Sequence, residues 1–398
     1  MTSIRPLGSL VSFRTGKLNS NAAKPDGAYP FFTCSQETYR TDTCSFNTEC
    51  VLLAGNNANG IYPIKYFSGA FDAYQRTYVI ESLDQQQLVT RYLYFALRPQ
   101  LDHLRSISTG AATKFLTLPL LRGIQIKAPP VAEQRRIASI LSAYDDLIEN
   151  NTRRIAILEE MARRIYEEWF VRFRFPVHEN VRMVESDLGL VPEGWAIEVV
   201  EDVTETLGGG TPSKTEPDFW TDGTINWYSP TDLTGAKTVF MEESATKITE
   251  LGLAKSSAKL FPPNSVMMTS RATLGVIAVN TTAACTNQGF IVCIPSVRMP
   301  RWLLFHWLKA NASVFEGLAT GATFKEITKG VFRKVKLTVP PSAIAAAFET
   351  LVGPMMDLVL RLERKNRNLR TTRDLLLPKL ISGELDVSAL PEPETVAA

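Results

Sequence analysis

The chain has 398 residues, which is enough for two or three domains that each bury a core. Hydrophobic residues make up 45% and charged residues 21%, as in ordinary globular proteins, and a net charge of +2 permits a nucleic-acid partner without demanding one. The amino terminus carries no signal-peptide pattern, and no stretch approaches the roughly 20 apolar residues of a membrane span. The five cysteines lack C-x-x-C spacing, so we expect free thiols in a reducing cytoplasm.

Residues 1–130 are predicted to form a first mixed α/β domain. An apolar strand runs into a polar loop in "CVLLAGNNANG", and "YQRTYVI" leads into another strand. The helical pattern of "LYFALRPQLDHL" precedes the loop "STGAATKF" and the alternating strand "RGIQIKAPP", which a Pro-Pro pair ends. Polar residue types that read base edges stand at these strand ends and loops. The candidate DNA-contacting residues here are Asn56, Asn57, Asn59, Gln75, Arg76, Thr109 and Lys114.

Residues 131–176 are predicted to form a long helix with a heptad seam. The apolar seam positions follow steps of four and three over more than four heptads, and one strongly polar residue interrupts them. The seam includes Ile137, Leu141, Ile148, Asn151, Ile155, Leu158 and Ile165. Residues 177–194 follow as a polar linker that contains Pro and Gly.

Residues 195–341 are predicted to form a second mixed α/β domain. The stretch "GGGTPSKT" is close to a phosphate-binding loop, but Ser213 replaces a required Gly and Pro212 removes an N–H donor, so we read it as a polar loop near DNA phosphates. Further strands and loops of this domain are predicted in "SVMMTSRATLG", "TNQGFIVCI" and "ATGATFKE". The candidate DNA contacts here are Thr211, Ser213, Lys214, Ser270, Arg271, Thr273, Gln288, Thr320 and Lys325.

The two domains are predicted to be copies of one plan. Residues 108–130 align without a gap with residues 319–341, and identical pairs include Gly110 with Gly321 and Lys114 with Lys325. Upstream, "CVLLAGNNANG" corresponds to "SVMMTSRATLG". The repeated TGA-x-x-K loop has two interpretations: a tight turn with a capping Thr, or a loop that presents Thr and Lys to a DNA groove. We predict that both copies face DNA on one side, together with Arg76 and Arg271.

Residues 342–383 are predicted to form a second long helix, followed by a flexible tail over 384–398. Gly353-Pro354 predicts a kink or a break, and Pro378 predicts an end near Leu377. An antiparallel pairing in which Asn151 meets Asn366 also places Leu141 near Leu376, and Arg373 near Tyr144. The alternative is that each Asn points to solvent or to a partner. The seam includes Val359, Leu362, Asn366, Leu369 and Leu376.

The usual catalytic patterns are missing from the sequence. It has no [ND]-P-P-[YF] loop for methylating a base amine, no H-E-x-x-H, and only three histidines, which suggest no triad. The sequence predicts no bound metal.

The whole chain resembles the specificity subunits of type I restriction–modification enzymes. The resemblance rests on "EQRRI" after the first Pro-Pro, "WFVRFRFP", "VPEGWAIEVVEDV", "GGGTPSK" followed by "INWYSPTDL", and "LLLPKLISGEL". It implies an α/β (α+β) fold with two similar mixed target recognition domains, joined and spaced by two long helices that form an antiparallel coiled coil with a pseudo-twofold. The Ala-rich "SAIAAAF" in place of "VAEQRRI" departs from the pattern in the second copy.

The resemblance also implies a function. The chain is expected to read an asymmetric bipartite target in double-stranded DNA, to dock two methyltransferase subunits and restriction subunits in the cytoplasm, and to catalyse nothing itself. S-adenosylmethionine, ATP and Mg are expected on those partners and no cofactor on this chain. Two alternatives stay open: a coiled-coil scaffold without a DNA role, and a DNA-modifying enzyme with an unrecognised site.

Overall fold

The computed structural model describes residues 3–57, 60–107, 114–236, 238–271, 273–321 and 325–391. The chain divides into two compact units. Unit 1 comprises residues 1–151 and 364–398, and unit 2 comprises residues 152–363. Unit 1 is therefore discontinuous in sequence, because its last part follows all of unit 2.

Unit 1 is built on a six-stranded sheet with the order β2-β8-β5-β7-β3-β4, in which only the β3–β7 pair is parallel. Two further pairs, β1–β10 and β6–β9, are antiparallel. The strands are β1 (Ser3–Pro6), β2 (Val11–Thr15), β3 (Tyr29–Phe32), β4 (Thr38–Thr41), β5 (Phe46–Ala54), β6 (Asn56–Asn57), β7 (Ile64–Ala73), β8 (Thr77–Ser82), β9 (Lys114–Phe115) and β10 (Gln125–Ala128).

One face of this sheet packs on helices. The helices are α1 (Thr90–Leu97), α2 (Leu101–Ile107), α3 (Leu118–Gly123) and the first part of the long helix α4 (Val131–Tyr166). Alternating strand residues such as Val51, Leu53 and Ile80 point toward Tyr92 and Phe95 of α1 in one continuous core. The opposite sheet face holds a smaller aromatic cluster around Phe71.

Unit 2 repeats the plan with a five-stranded sheet of order β14-β21-β18-β19-β16 and a three-stranded sheet of order β17-β15-β20. The pair β13–β22 is antiparallel, as β1–β10 is in unit 1. The strands are β11 (Met183–Ser186), β12 (Gly189–Pro192), β13 (Ala196–Val199), β14 (Glu205–Gly208), β15 (Ile225–Tyr228), β16 (Phe240–Met241), β17 (Thr246–Ile248), β18 (Val266–Thr269), β19 (Ile277–Asn280), β20 (Ala284–Thr286), β21 (Phe290–Ile294) and β22 (Lys336–Val339).

The helices of unit 2 bury a more aromatic core. Trp302 and Phe305 of one domain helix pack with Phe315, Phe332 and Phe348. The helices are α5 (Val200–Val203), α6 (Pro230–Ala236), α7 (Glu250–Ala254), α8 (Arg301–Ala310), α9 (Ala312–Leu318), α10 (Lys329–Arg333) and α11 (Ser342–Ser382). The short helices α3 and α10 stand at matching places, where the sequence reading expected only loop and strand.

The second long helix runs without interruption from Ser342 to Ser382, so the predicted break at Gly353-Pro354 and the predicted end near Leu377 are wrong. An interior proline removes one backbone hydrogen bond and costs roughly 3 kcal/mol. Burial on both sides offsets this cost, because Val352 and Met356 flank Pro354 in the core of unit 2, and Leu377 and Leu380 enter the core of unit 1.

The first part of α11 has the length and composition of a candidate membrane span. Core helices of water-exposed proteins pass the same test. Here Ala345, Phe348, Val352 and Val359 pack inside unit 2, and 28% of the apolar stretch is buried.

The linker forms an element that was not predicted, and the described part of the tail, residues 384–391, packs on unit 1. Residues 183–192 form a β-hairpin, in which β11 pairs with β12, and Val191 at its base is 2% exposed. In the tail, Val387 is buried with Leu377 and Leu380. Apolar residues spaced singly among polar ones anchor both segments, a pattern that carries too little periodicity to predict an element.

Candidate nucleic-acid interface

Both units build a small polar cleft on the same set of three backbone hydrogen bonds, which we call the cleft frame. In unit 1 the donor–acceptor pairs are Leu116 N to Gly55 O (2.8 Å), Gly55 N to Arg76 O (2.8 Å) and Tyr74 N to Phe32 O (2.9 Å). In unit 2 they are Ile327 N to Ser270 O (3.0 Å), Ser270 N to Gly289 O (2.8 Å) and Asn287 N to Tyr228 O (3.0 Å). The frame makes Asn56 equivalent to Arg271, and Gln75 equivalent to Gln288.

Cleft 1, in unit 1, is a cavity of about 280 Å³ with an uncharged polar lining. The Cys34 thiol donates to Asn56 Oδ1 at 3.2 Å, which orients the amide. Asn56 and Asn57 are half-buried in β6. The lining residues are Ser20, Thr33, Cys34, Ser35, Asn56, Asn57 and Tyr74.

Cleft 2, in unit 2, is a cavity of about 320 Å³ that contains two cationic side chains, Lys214 and Arg271. The Thr211 hydroxyl donates to Gln288 Oε1 at 2.6 Å, so the "GGGTPSK" loop is tied to the strand end opposite it. The lining residues are Thr211, Lys214, Trp227, Pro230, Arg271, Asn287, Gln288 and Gly289.

Two glycines of "GGGTPSKT", Gly209 and Gly210, pack closely against neighbouring backbone. A Cβ on Gly209 would lie 2.0 Å from the Asn287 carbonyl oxygen and 2.3 Å from that of Thr286. Only glycine fits there. This approach positions Thr211 and Lys214 in cleft 2.

The repeated TGA-x-x-K loops lie beside the clefts. In unit 1, β9 pairs with β6, which sets Lys114 opposite Asn57 and Phe115 opposite Asn56. In unit 2, Glu326 bridges to both Thr320 and Arg271, and its carboxylate lies 3.8 Å from Arg271 Nε. Lys325 and Thr320 are exposed. Asn59 and Thr109 lie outside the described residues.

The remaining predicted contacts divide into exposed and buried residues. Gln75, Arg76 and Thr273 are exposed, and the Arg76 guanidinium lies 5.6 Å from the centre of the Phe115 ring. Ser270 is 2% exposed because its main chain belongs to the frame, which contradicts its predicted place on a DNA-reading surface.

Ser213 is turned toward its own loop. Its hydroxyl lies 2.7 Å from the Thr215 hydroxyl, and its carbonyl accepts a hydrogen bond from the Trp220 indole. Ser213 does not line cleft 2, because its hydroxyl and carbonyl groups bond within the local turn.

Within unit 1, α4 and α11 run antiparallel and their polar seam residues meet. Asn151 Nδ2 donates to Asn366 Oδ1 at 2.9 Å, and the two residues are 3% and 2% exposed. This contact confirms the predicted pairing. Arg373, which the same pairing places near Tyr144, forms an ion pair with the adjacent Asp145 at 2.5 Å. Its contact with the Tyr144 ring stays a prediction.

The other seam residues are buried or half-buried on the helices. Within unit 1, Ile137, Leu141, Ile148, Leu369 and Leu376 line this side of the pair, and within unit 2 the corresponding residues are Ile155, Leu158, Ile165, Val359 and Leu362. Antiparallel pairing explains why Leu141 shares a core cluster with Leu377 and Leu380.

Each long helix holds its own domain helix through two contacts that the sequence reading missed. Gln134 Oε1 accepts from Val89 N at the start of α1, and Glu349 Oε2 accepts from Trp302 N in α8, both at 2.9 Å. An ion pair repeats beside them: Arg91 with Asp146 at 3.2 Å, and Arg301 with Asp357 at 3.7 Å. Asp146 and Asp357 are as far apart in the sequence as the two aligned loops are. The internal repeat could therefore have predicted that the two aspartates are equivalent.

A cavity of about 470 Å³ lies within unit 2 between α4, α8 and α11. His306 lines it, is 4% exposed, and has no hydrogen-bond partner for Nε2 among the described residues. Burial, with Lys309 and Arg163 nearby, lowers the pKa of His306 to about 3. Burial raises the pKa of Glu159 in the same cavity.

The described residues contain no cluster of three His, Cys, Asp or Glu suited to a metal ion. Burial raises the pKa of the Cys50, Cys285 and Cys293 thiols to about 12, so they remain protonated. The feature that the two units share is the backbone geometry of their clefts.

Comparisons with known proteins agree with the repeated plan. Residues 3–160 and 192–353 match the model of the type I restriction modification DNA specificity domain. The MjaIX specificity subunit of Methanocaldococcus jannaschii is 26% identical over 312 residues, covering 76% of this chain and 71% of that protein. The EcoDI specificity subunit of Escherichia coli is 35% identical over 223 residues, covering 50% of this chain and 49% of that protein.

A solved structure shares the fold. The S subunit of a type I restriction–modification system from M. genitalium superimposes with a TM-score of 0.67 at 15% identity, covering 96% of each chain. At this identity the likeness speaks for the fold alone.

Proposed function

Because the chain belongs to the type I restriction–modification DNA specificity family, we propose that it reads an asymmetric, bipartite target in double-stranded DNA. As a specificity subunit it is not itself an enzyme. The observation that carries the proposal is the cleft frame, which occurs once in each unit and surrounds two differently lined clefts.

The two linings favour two different half-sites. Cleft 1 is lined by neutral hydrogen-bonding groups, whereas cleft 2 adds Lys214 and Arg271. Amides pair with adenine edges and guanidinium groups with guanine edges. The two clefts have the same backbone geometry and different lining residues, so each unit reads a different half of one bipartite target.

Exposed cations beside each cleft fit phosphate contacts. Arg76 in unit 1 and Lys325 in unit 2 are exposed at the cleft margins. Such contacts position a protein on the duplex without reading sequence.

In this proposal the chain works in the cytoplasm with two methyltransferase subunits and restriction subunits. S-adenosylmethionine, ATP and Mg belong to those partners, and no residue of this chain is assigned to them. The long helices offer the docking surfaces, with the Asn151–Asn366 contact fixing their register.

Methylome sequencing of a host with and without this gene tests the function. We expect one bipartite methylated motif that disappears with the gene. In parallel, the purified complex should bind duplex DNA with an affinity that falls steeply as salt rises.

The rival functions give other results. A scaffold without a DNA role leaves the methylome unchanged and shows no salt-dependent DNA binding. Methyl transfer by the isolated chain would instead identify an enzyme and overturn the proposal.

A further inference from the structure

Asn56 and Arg271 hold the same position in two copies of one cleft. Each follows directly on the residue that both donates and accepts in the frame, Gly55 in unit 1 and Ser270 in unit 2. Each also bridges to the matching residue of the neighbouring loop, Phe115 or Glu326. The two side chains therefore enter their clefts from the same backbone site.

In cleft 2 the guanidinium of Arg271 is presented with a free edge. Its side chain is 51% exposed, and its ion pair with Glu326 involves Nε at 3.8 Å. The described residues give Nη1 and Nη2 no hydrogen bond. This edge matches the paired O6 and N7 acceptors of guanine.

In cleft 1 the amide of Asn56 is oriented by a neutral neighbour. The Cys34 thiol donates to one lone pair of Oδ1 at 3.2 Å, which leaves a second lone pair and the Nδ2 donors. Acceptor and donor side by side match the N6 amine and N7 of adenine. None of the described residues that line this cleft is cationic.

We propose that Asn56 and Arg271 are equivalent base-reading residues, so that the half-site read by unit 1 carries an adenine where the half-site read by unit 2 carries a guanine. Glu326 is the positioning residue for Arg271. The inference rests on the proposed function and adds the identity of one base pair in each half-site.

The test uses the full complex with its methyltransferase subunits and a library of duplexes randomised at each position of the motif. For Arg271→Ala we expect discrimination to fall roughly 5- to 150-fold at one guanine of one half-site. For Asn56→Ala we expect the same loss at one adenine of the other half-site. Lys325→Ala is the control, because an exposed phosphate contact should weaken all sequences alike.

Glu326→Gln separates positioning from folding. It should reduce preference for the same guanine that Arg271→Ala affects, while the thermal melting midpoint stays that of the wild type. If instead it alters the other half-site, Glu326 does not act through Arg271.

The outcomes distinguish the inference from the function. A wild-type complex with a bipartite motif that lacks these two bases, or variants that change both half-sites together, would overturn the inference alone. A wild-type complex that neither binds duplex DNA nor directs methylation would overturn the proposed function as well.

Discussion

Unit 1 and unit 2 share backbone contacts and differ in the side chains that complete them. Both hold a domain helix against a long helix, but unit 1 uses the neutral Gln134 where unit 2 uses the carboxylate Glu349. Both have the cleft frame, but one cleft is neutral and the other cationic. The two clefts therefore share their main-chain geometry and differ in the chemistry of their linings.

The largest effect is expected when a buried aromatic ring is removed from one unit only, because the stability of that unit alone should then fall. Phe348 is fully buried against the rings of Phe170 (4.9 Å) and Trp169 (5.9 Å), measured between ring centres. Phe348→Ala should cost about 3–5 kcal/mol of unfolding free energy in unit 2. Hydrogen exchange resolved by unit measures the effect.

The matched variant is Ile137→Ala at the equivalent position of α4. It should destabilise unit 1 by about 2–5 kcal/mol. Equal loss of protection in both units for either variant would contradict independent cores.

The next largest effect concerns the polar seam. Asn151→Leu should cost about 1–3 kcal/mol, because the buried Oδ1 of Asn366 loses the hydrogen bond that Asn151 Nδ2 donates to it. The double variant Asn151→Leu/Asn366→Leu should recover most of that stability, since both polar groups are then gone. Chemical denaturation of both variants measures this. If the single and the double variant are equally destabilised, the two asparagines do not stabilise the helix pair through their mutual hydrogen bond.

The stability of unit 2 should also depend on pH through buried groups that act in opposite directions. The pKa of buried His306 is about 3, so below its ordinary value near 6.5 the unfolded chain takes up the proton first and stability falls on acidification. Burial raises the pKa of Glu363 to about 7, so the folded state takes up that proton first and stability rises on acidification.

Single substitutions should uncover each dependence between pH 6 and 4.5. Glu363→Gln should make unit 2 lose about 1 kcal/mol per pH unit, and His306→Phe should reverse the slope. Denaturation midpoints at the two pH values measure it. Identical slopes in both variants would show that neither group titrates as described.

The smallest expected effect is that of the repeated ion pair. Asp146 is 67% and Asp357 is 54% exposed at the side chain, so Asp146→Asn and Asp357→Asn should each cost less than about 1 kcal/mol and less still in high salt. Thermal melting at two salt concentrations measures this. A larger cost for either would mark that pair as part of the domain attachment rather than an accessory to it.

The sequence predicted what depends on periodicity and repetition. Steps of four and three located the seam, and the asparagine within each seam led to the prediction of the Asn151–Asn366 contact. The resemblance of "CVLLAGNNANG" to "SVMMTSRATLG" indicated a repeated strand and loop, and the frame then matched Asn56 with Arg271. These features depend on residues close together in the sequence or occur twice in the chain. Either property allows them to be predicted from the sequence alone.

The failures concern tertiary burial. Pro354 and Pro378 have the same local chemistry as helix-ending prolines, and only the cores around Val352 and Leu377 keep the helix continuous. Ser270 looked like a surface reader because its neighbours are polar, yet its backbone belongs to the frame. The pairing of Glu349 with Trp302 N joins residues that no motif links.

The discontinuity of unit 1 has a consequence for synthesis. Its core needs Leu377, Leu380 and Val387, and Asn151 waits for a partner 215 residues further along. Unit 2 is continuous and is complete earlier on the ribosome. Unit 1, whose first strand is made first, is therefore the last to close, because Ile137 and Leu141 of α4 share a core with Leu377 and Leu380 only after the end of α11 has emerged.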